Sequence, residues 1–205
     1  MENATTINEV IAKYNYWEKE NKAWLTSHEK KCSKLLNEFK TKFPISSIGT
    51  IAIDQYVVGK KTNDSFCWWV ENCLRDLGDI RGGQLTAFQR FGIYYDDEKH
   101  DYVFGGKKTK KTKFGETKDE VFHNVRNELV ALMDAIVKKD YEGIISNKLN
   151  PLFKNKLTYL YDETMWIPIY GDGDLNILLS ALRFLMTKIQ IEFIRELNFL
   201  TFTKN

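Results

Sequence analysis

Six lysines fall between Gly105 and Lys118 in the run GGKKTKKTKFGETK, with Glu116 alone opposing them. Lys107, Lys108, Lys110, Lys111 and Lys113 are spaced closely enough for their ammonium groups to follow a phosphate backbone. Each such contact releases condensed counterions and makes binding fall with salt. The run has no apolar periodicity and cannot build core, so the competing reading is a solvated surface loop or ragged hairpin arm. Lys60 and Lys61 form a second basic pair just ahead of the aromatic segment DSFCWW. On a helix Trp68 lies about 100° round from Trp69, on the same side as Arg75. An exposed ring there could stack on a nucleobase, an interaction of about 1–3 kcal/mol; otherwise the indole packs beneath the N-terminal arm. Arg81, Gln84 and Arg90 flank the Gly82-Gly83 turn. They are candidates for base-edge or phosphate contacts, and each arginine could equally serve as a surface ion-pair partner.

Other chemistries find less support. Asp101, Glu116 and Lys118 spell the D…E-x-K pattern of a Mg²⁺-dependent nuclease. In a chain with 28% charged residues those letters recur by chance, and Glu116 falls in a loop rather than on a strand. No G-x-x-x-x-G-K-[ST] phosphate loop occurs, so a nucleotide-hydrolysing motor is not encoded here. His28, His100 and His123 lie on separate predicted elements and match no zinc pattern. Asp172 and Asp174 across a glycine read as a helix N-cap more readily than as a cation site. Cys32, Cys67 and Cys73 are an odd set without metal-ligand pairing, as expected of reduced thiols. No metal or cofactor is implied.

The elements that must hold these residues are mostly helices. With 205 residues, 43% hydrophobic and 14% aromatic, the chain can bury a core. A formal net charge of +2 is too small to announce a nucleic-acid binder, so charge distribution must decide. Ile7, Val10, Tyr14, Trp17, Trp24 and Leu25 form a helical stripe behind a Thr6–Glu9 capping pattern, and Thr26–Glu29 repeats that pattern before Cys32, Leu35, Leu36, Phe39 and Phe43. Residues 7–43 are thus one long helix or a helical hairpin, ended by Pro44. The stripe can pack on the core or, being close to a heptad repeat, pair with another subunit. The run 45–59 reads as a connector with a short helix near Asp54.

Phe66, Trp69, Val70, Cys73, Leu74 and Leu77 predict a helix closed by Gly78. Phe88 to Tyr95 and Tyr102 to Phe104 predict two strands around the polar DDEKHD turn. Thr117 caps a core helix running to about Lys139, with Val121, Val125, Leu129, Leu132, Met133 and Ile136 inward. Short helices are predicted at Tyr141 to Ser146 and from Asn150 through Tyr161, and Trp166 to Tyr170 as a short buried crossing. Two apolar helices are predicted after Gly171, carrying Leu175 to Leu182 and Leu185 to Leu200. Arg183, Lys188, Glu192 and Arg195 interrupt that apolar end, so no membrane span is expected.

Several of these stretches together carry a family resemblance. Asp64-Ser65-Phe66-Cys67-Trp68-Trp69-Val70-Glu71 matches a D-S-F-C-x-W-hydrophobic-E helix. Leu77-Gly78-Asp79-Ile80-Arg81-Gly82-Gly83 matches an L-G-x-I-x-G-G turn, and Phe91-Gly92-Ile93-Tyr94-Tyr95 an F-G-I-Y-Y strand. With Asn150 to Tyr161 and Pro168 to Tyr170, roughly residues 45–185 resemble the N-terminal domain ahead of the motor in McrB-like, modification-dependent (type IV) restriction proteins. The motifs are fold markers more than catalytic signatures. The resemblance implies a cytoplasmic antiphage-defence protein that recognises methylated or otherwise modified DNA. GTP hydrolysis and cleavage would lie on a motor and a nuclease subunit.

The expectation is therefore an α+β fold, mainly helical with a small antiparallel hairpin. A helical arm over 1–44 precedes a single recognition domain over 45–205. Lys60, Lys61, Trp68, Arg75, Arg81, Gln84, Arg90 and Lys107 to Lys113 are the DNA-contact candidates, with no catalytic residue. The alternative is a protein-interaction or oligomerisation module of the same kind of system.

Overall fold

A computed structural model describes residues 7–81, 85–105, 112–170, 173, 176–180 and 182–183. The fold is α+β and mainly helical, with one two-stranded antiparallel sheet. The chain divides into a larger unit, Glu29–Tyr170, and a smaller one made of Met1–His28 with Gly171–Asn205. Among the described residues no helix is long and apolar enough to cross a membrane.

Helix α1 (Ile7–Lys42) is continuous, so Thr26 and Glu29 lie within a helix rather than starting a second one. Pro44 follows it with extended backbone and opens α2 (Ile45–Ile48), its fixed φ suiting a helix start. The larger unit begins upstream of Pro44 because Cys32, Leu36, Phe39 and Phe43 of α1 are all buried in its core. Helix α3 (Ile53–Tyr56) delivers Tyr56, whose ring is fully buried while its hydroxyl donates to the Phe91 carbonyl at 2.7 Å. Phe39, Phe43, Phe66, Phe91 and Phe153 meet in tilted and edge-on pairs with centroids 5.0–6.3 Å apart, the favoured geometry of ring quadrupoles.

The segment expected as one helix from 66 to 78 is broken. Ser65 caps α4 (Phe66–Trp68), a π turn follows over Trp69–Cys73, and a 3₁₀ turn over Arg75–Leu77 ends at Gly78. The inner face carries Cys67 and Glu71 as well as Phe66, Val70, Leu74 and Leu77. Phe88 does not begin a strand: Ala87–Phe91 is helix α5, started by Thr86 and Gln89 as a capping box. The chain then forms β1 (Tyr94–Asp96) and β2 (Asp101–Val103), with Tyr95 opposite Tyr102. Beside β1, Gly59 has φ +104 and a Cβ there would fall 1.9 Å from the Tyr95 carbonyl oxygen, so only glycine lets this strand approach.

Helix α6 (Lys118–Lys138) is capped by Thr117 and buries the predicted stripe. It packs on α2, on α7 (Tyr141–Ser146) and on α8 (Pro151–Tyr161). Helix α8 is enclosed on nearly every side, and Lys154, Asn155, Lys156 and Thr158 are buried with its apolar residues. The crossing after it is only partly interior: Met165 and Tyr170 are buried, Ile167 and Pro168 exposed. In the smaller unit, residues 176–180 are helical; the helix predicted from Leu185 onward lies outside the described residues.

Candidate functional site

The hairpin and its neighbours enclose a cleft of about 610 Å³. Phe88 reaches it from α5, Tyr94 from β1, Tyr102 and Phe104 from and beyond β2, and Lys99 and Lys118 from the turn and the start of α6. All four rings are half-buried, presenting part of their area to whatever occupies the cleft. The volume lies within the range of pockets that hold small organic groups.

Local sequence explains the placement. The Thr86 cap starts a helix that turns Phe91 into the core, stacked edge-on with Phe153, and leaves Phe88 on the cleft side. The hairpin holds Tyr95 against Tyr102, centroids 5.3 Å apart and planes 73° apart. Lys60 sits over both rings, at 4.7 and 5.5 Å, and pairs with Asp54 at 2.6 Å. Tyr102 also donates its hydroxyl to Asp54. The Lys60 hydrogen bond, followed by that from Tyr102, holds the Asp54 carboxyl below its usual range, while the same Asp54 contact raises the Lys60 ammonium. Lys118 covers the Tyr102 ring at 5.2 Å. The cleft thus has an aromatic floor with cations at its edge, suited to a flat, anionic or electron-rich ligand.

The predicted contact residues divide into groups. Lys60 belongs to the hairpin cluster, where it shares the Tyr102 ring with Lys118, a residue outside that contact set. Lys61 is nearby on the chain, its side chain 84% exposed and in a loose 3.5 Å pair with Asp97. Lys113 lies over the Phe114 ring at 5.1 Å. Lys107, Lys108, Lys110, Lys111 and Gln84 lie outside the described residues, although the lysine run follows in sequence directly on Gly105 at the cleft rim.

Arg75 and Arg81 converge elsewhere, on Asp79. Arg75 Nε donates at 2.8 Å, and Arg81 donates through its amide, Nε and a terminal nitrogen at 2.9–3.1 Å. Arg81 foremost holds the Asp79 carboxyl far below its usual range. Arg90 is a core residue: its side chain is 10% exposed, donates to the Leu85 carbonyl, and pairs with Glu71, itself 9% exposed. That burial leaves it little surface for a phosphate. Trp68 is half-buried and does not line the cleft. Trp69, expected to face the core, is also half-buried; its indole donates to Asp64 at 2.9 Å and Lys42 lies 5.9 Å over the ring.

Asp101 and Lys118 both line the cleft, whereas Glu116 does not and uses its amide to bind Glu120. Among the described residues no three His, Cys, Asp or Glu side chains gather so as to hold a metal ion. Phe88, Tyr94, Tyr102 and Phe104 were absent from the sequence-based contact set. Their signal was the pair of aromatic clusters, Tyr94-Tyr95 and Tyr102-Val103-Phe104, bracketing a charged turn. Comparison with protein-family models, with curated proteins and with solved structures finds no match.

Proposed function

We propose that this chain is the DNA-recognition domain of a McrB-like, cytoplasmic restriction system. In this reading it binds modified DNA and leaves GTP hydrolysis and cleavage to other domains or subunits. The observation that carries the proposal is the hairpin cleft, where four partly open rings and two lysines surround a volume fit for a nucleobase. The motif resemblance over roughly residues 45–185 supports it independently. The rings would supply sequence-tolerant stacking, and Lys99, Lys118, Lys61 and the 107–113 lysines would contact phosphates.

Fluorescence anisotropy with methylated, hydroxymethylated and plain duplexes at two salt concentrations tests the reading. Binding should weaken steeply with salt, and Phe88→Ala should cost roughly 5- to 150-fold, the equivalent of one stacked base. Replacing Lys107, Lys108, Lys110 and Lys111 by glutamate should abolish retention. No binding at low salt defeats the proposal. A protein-interaction module is the second reading, favoured by the exposed aromatic stripe on α1, and under it the four glutamates would change nothing.

A further inference from the structure

From Glu9 to Glu20 every residue of α1 is exposed, although the segment carries Val10, Ile11, Tyr14, Tyr16 and Trp17. An amphipathic helix gains its stability by burying its apolar face, so this one is incomplete alone. The residues occur at alternating steps of three and four: Ile7, Val10, Tyr14, Trp17, Asn21, Trp24, His28. That is an a/d heptad pattern with Ile7, Tyr14, Asn21 and His28 at a and Val10, Trp17 and Trp24 at d. Ring geometry places neighbours on one face, Tyr14 and Trp17 having centroids 6.3 Å apart and Trp24 and His28 stacking at 4.9 Å.

We infer that this stripe is the seam of a parallel, two-stranded coiled coil with a second copy of the same chain. Two features select that partner. Asn21 occupies a central a position, where a polar side chain meeting its own counterpart fixes register and favours two strands at some cost in stability. Lys13 falls at g and Glu18 at the following e, so a parallel pair of identical helices sets Lys13 of each copy against Glu18 of the other, attractive in both directions.

The area agrees with a reversible dimer. Trp17, Trp24 and Tyr14 are 46%, 56% and 57% exposed, and Val10 and Ile11 44% and 50%. At 150–250 Å² per aromatic side chain, each copy has roughly 400–500 Å² left to cover, so the pair would bury about 800–1,000 Å². That lies below the standard size of a stable interface and in the class of weak, transient ones, so self-association should depend on concentration. The inference stands apart from DNA binding and uses none of the cleft residues.

Analytical ultracentrifugation of the full chain from about 1 to 100 µM tests it. The expected result is a monomer–dimer equilibrium that Trp17→Glu with Trp24→Glu abolishes while circular dichroism retains the melting transition of the larger unit. The decisive variants are K13E and E18K, which keep every apolar contact. Each alone makes both g–e contacts repulsive and should weaken self-association roughly 4- to 30-fold. Mixed together they restore both attractions, so the heterodimer should form in preference to either homodimer. A chain monomeric at 100 µM overturns the inference. A dimer with no K13E/E18K preference overturns the parallel seam.

Discussion

Replacing Lys156 by methionine should remove a pH dependence that the wild-type fold carries. Lys156 is 0% exposed on α8, and its Nζ donates to the Leu74 carbonyl at 2.9 Å and the Gly78 carbonyl at 2.6 Å. A neutral amine has two N–H groups, one for each acceptor. Burial pulls the ammonium down from 10.5 to about 7, with Asp79 and Glu71 opposing the fall and Arg81 assisting it. Well below pH 7 the amine is protonated in folded and unfolded chains alike, and it gives stability no pH dependence. From about pH 7 to about pH 10.5 the unfolded chain holds the extra proton, so raising the pH favours the folded state by about 1.4 kcal/mol per pH unit. The usable window closes near pH 8.5. Above it Cys67 and Tyr56, whose ionisation in the folded chain burial pushes up, begin to favour unfolding as they ionise in the unfolded chain.

At pH 7, Lys156→Met strips donors from the buried Leu74 carbonyl and the partly buried Gly78 carbonyl, costing about 1–3 kcal/mol for a buried group left unsatisfied, partly offset by no longer burying an amine. The distinctive expectation is the trend: the gap between wild type and variant should widen by about 2 kcal/mol between pH 7 and 8.5. Urea denaturation at half-unit pH steps measures it. Parallel stability curves for the two proteins would refute the reasoning, since they would mean Lys156 binds its proton equally well in both states.

Three further substitutions probe the frame around the glycine turn and the cleft. Arg90→Met leaves the Glu71 carboxylate buried without its cation and should cost about 3–5 kcal/mol; chemical denaturation should find part of that recovered in the Glu71→Gln, Arg90→Met double variant. Gly78→Ala should destabilise by about 2 kcal/mol or more, because φ is +106 and the new Cβ would lie 2.3 Å from the Tyr170 ring. A thermal melt that leaves the transition unmoved counts against a rigid turn at Gly78. Thr117→Ala removes the cap whose hydroxyl accepts from the Glu120 amide and should lower stability by about 1 kcal/mol, read from the urea midpoint at constant m.

What could be read in advance follows from how far apart the cooperating residues lie. Helix α6 shows its whole logic within about one stretch of sequence, a Thr117–Glu120 box followed by apolar positions at helical spacing, and it is where the sequence predicts it. At Phe88 two local signals compete. The aromatic run favours a strand, but in Thr86-x-x-Gln89 the glutamine folds back on the helix start, its side-chain oxygen accepting from the Thr86 amide at 2.8 Å and the Thr86 hydroxyl at 2.9 Å, so the helix wins. Periodicity alone weighs side chains and misses that contest for the backbone.

Helix α8 is where the sequence predicts it, but the burial of its polar side lies beyond any local reading. Lys154 donates to the Ile145 and Asn147 carbonyls, while Lys156 finds its acceptors 82 and 78 residues earlier. Two lysines that would ordinarily mark a solvated face are interior because acceptors meet them there. The same separation hides the cleft: Phe88, Tyr94, Tyr102 and Phe104 are unremarkable aromatics one by one, and Lys118 begins a different helix. They become a site only because Gly59 admits β1 beside the preceding segment, where the Tyr95 amide donates to the Val58 carbonyl at 2.9 Å. A basic run is conspicuous in a sequence whatever it touches. The groups that decide what it can bind are the rings beside it, and those are assembled by backbone contacts that residue types do not announce.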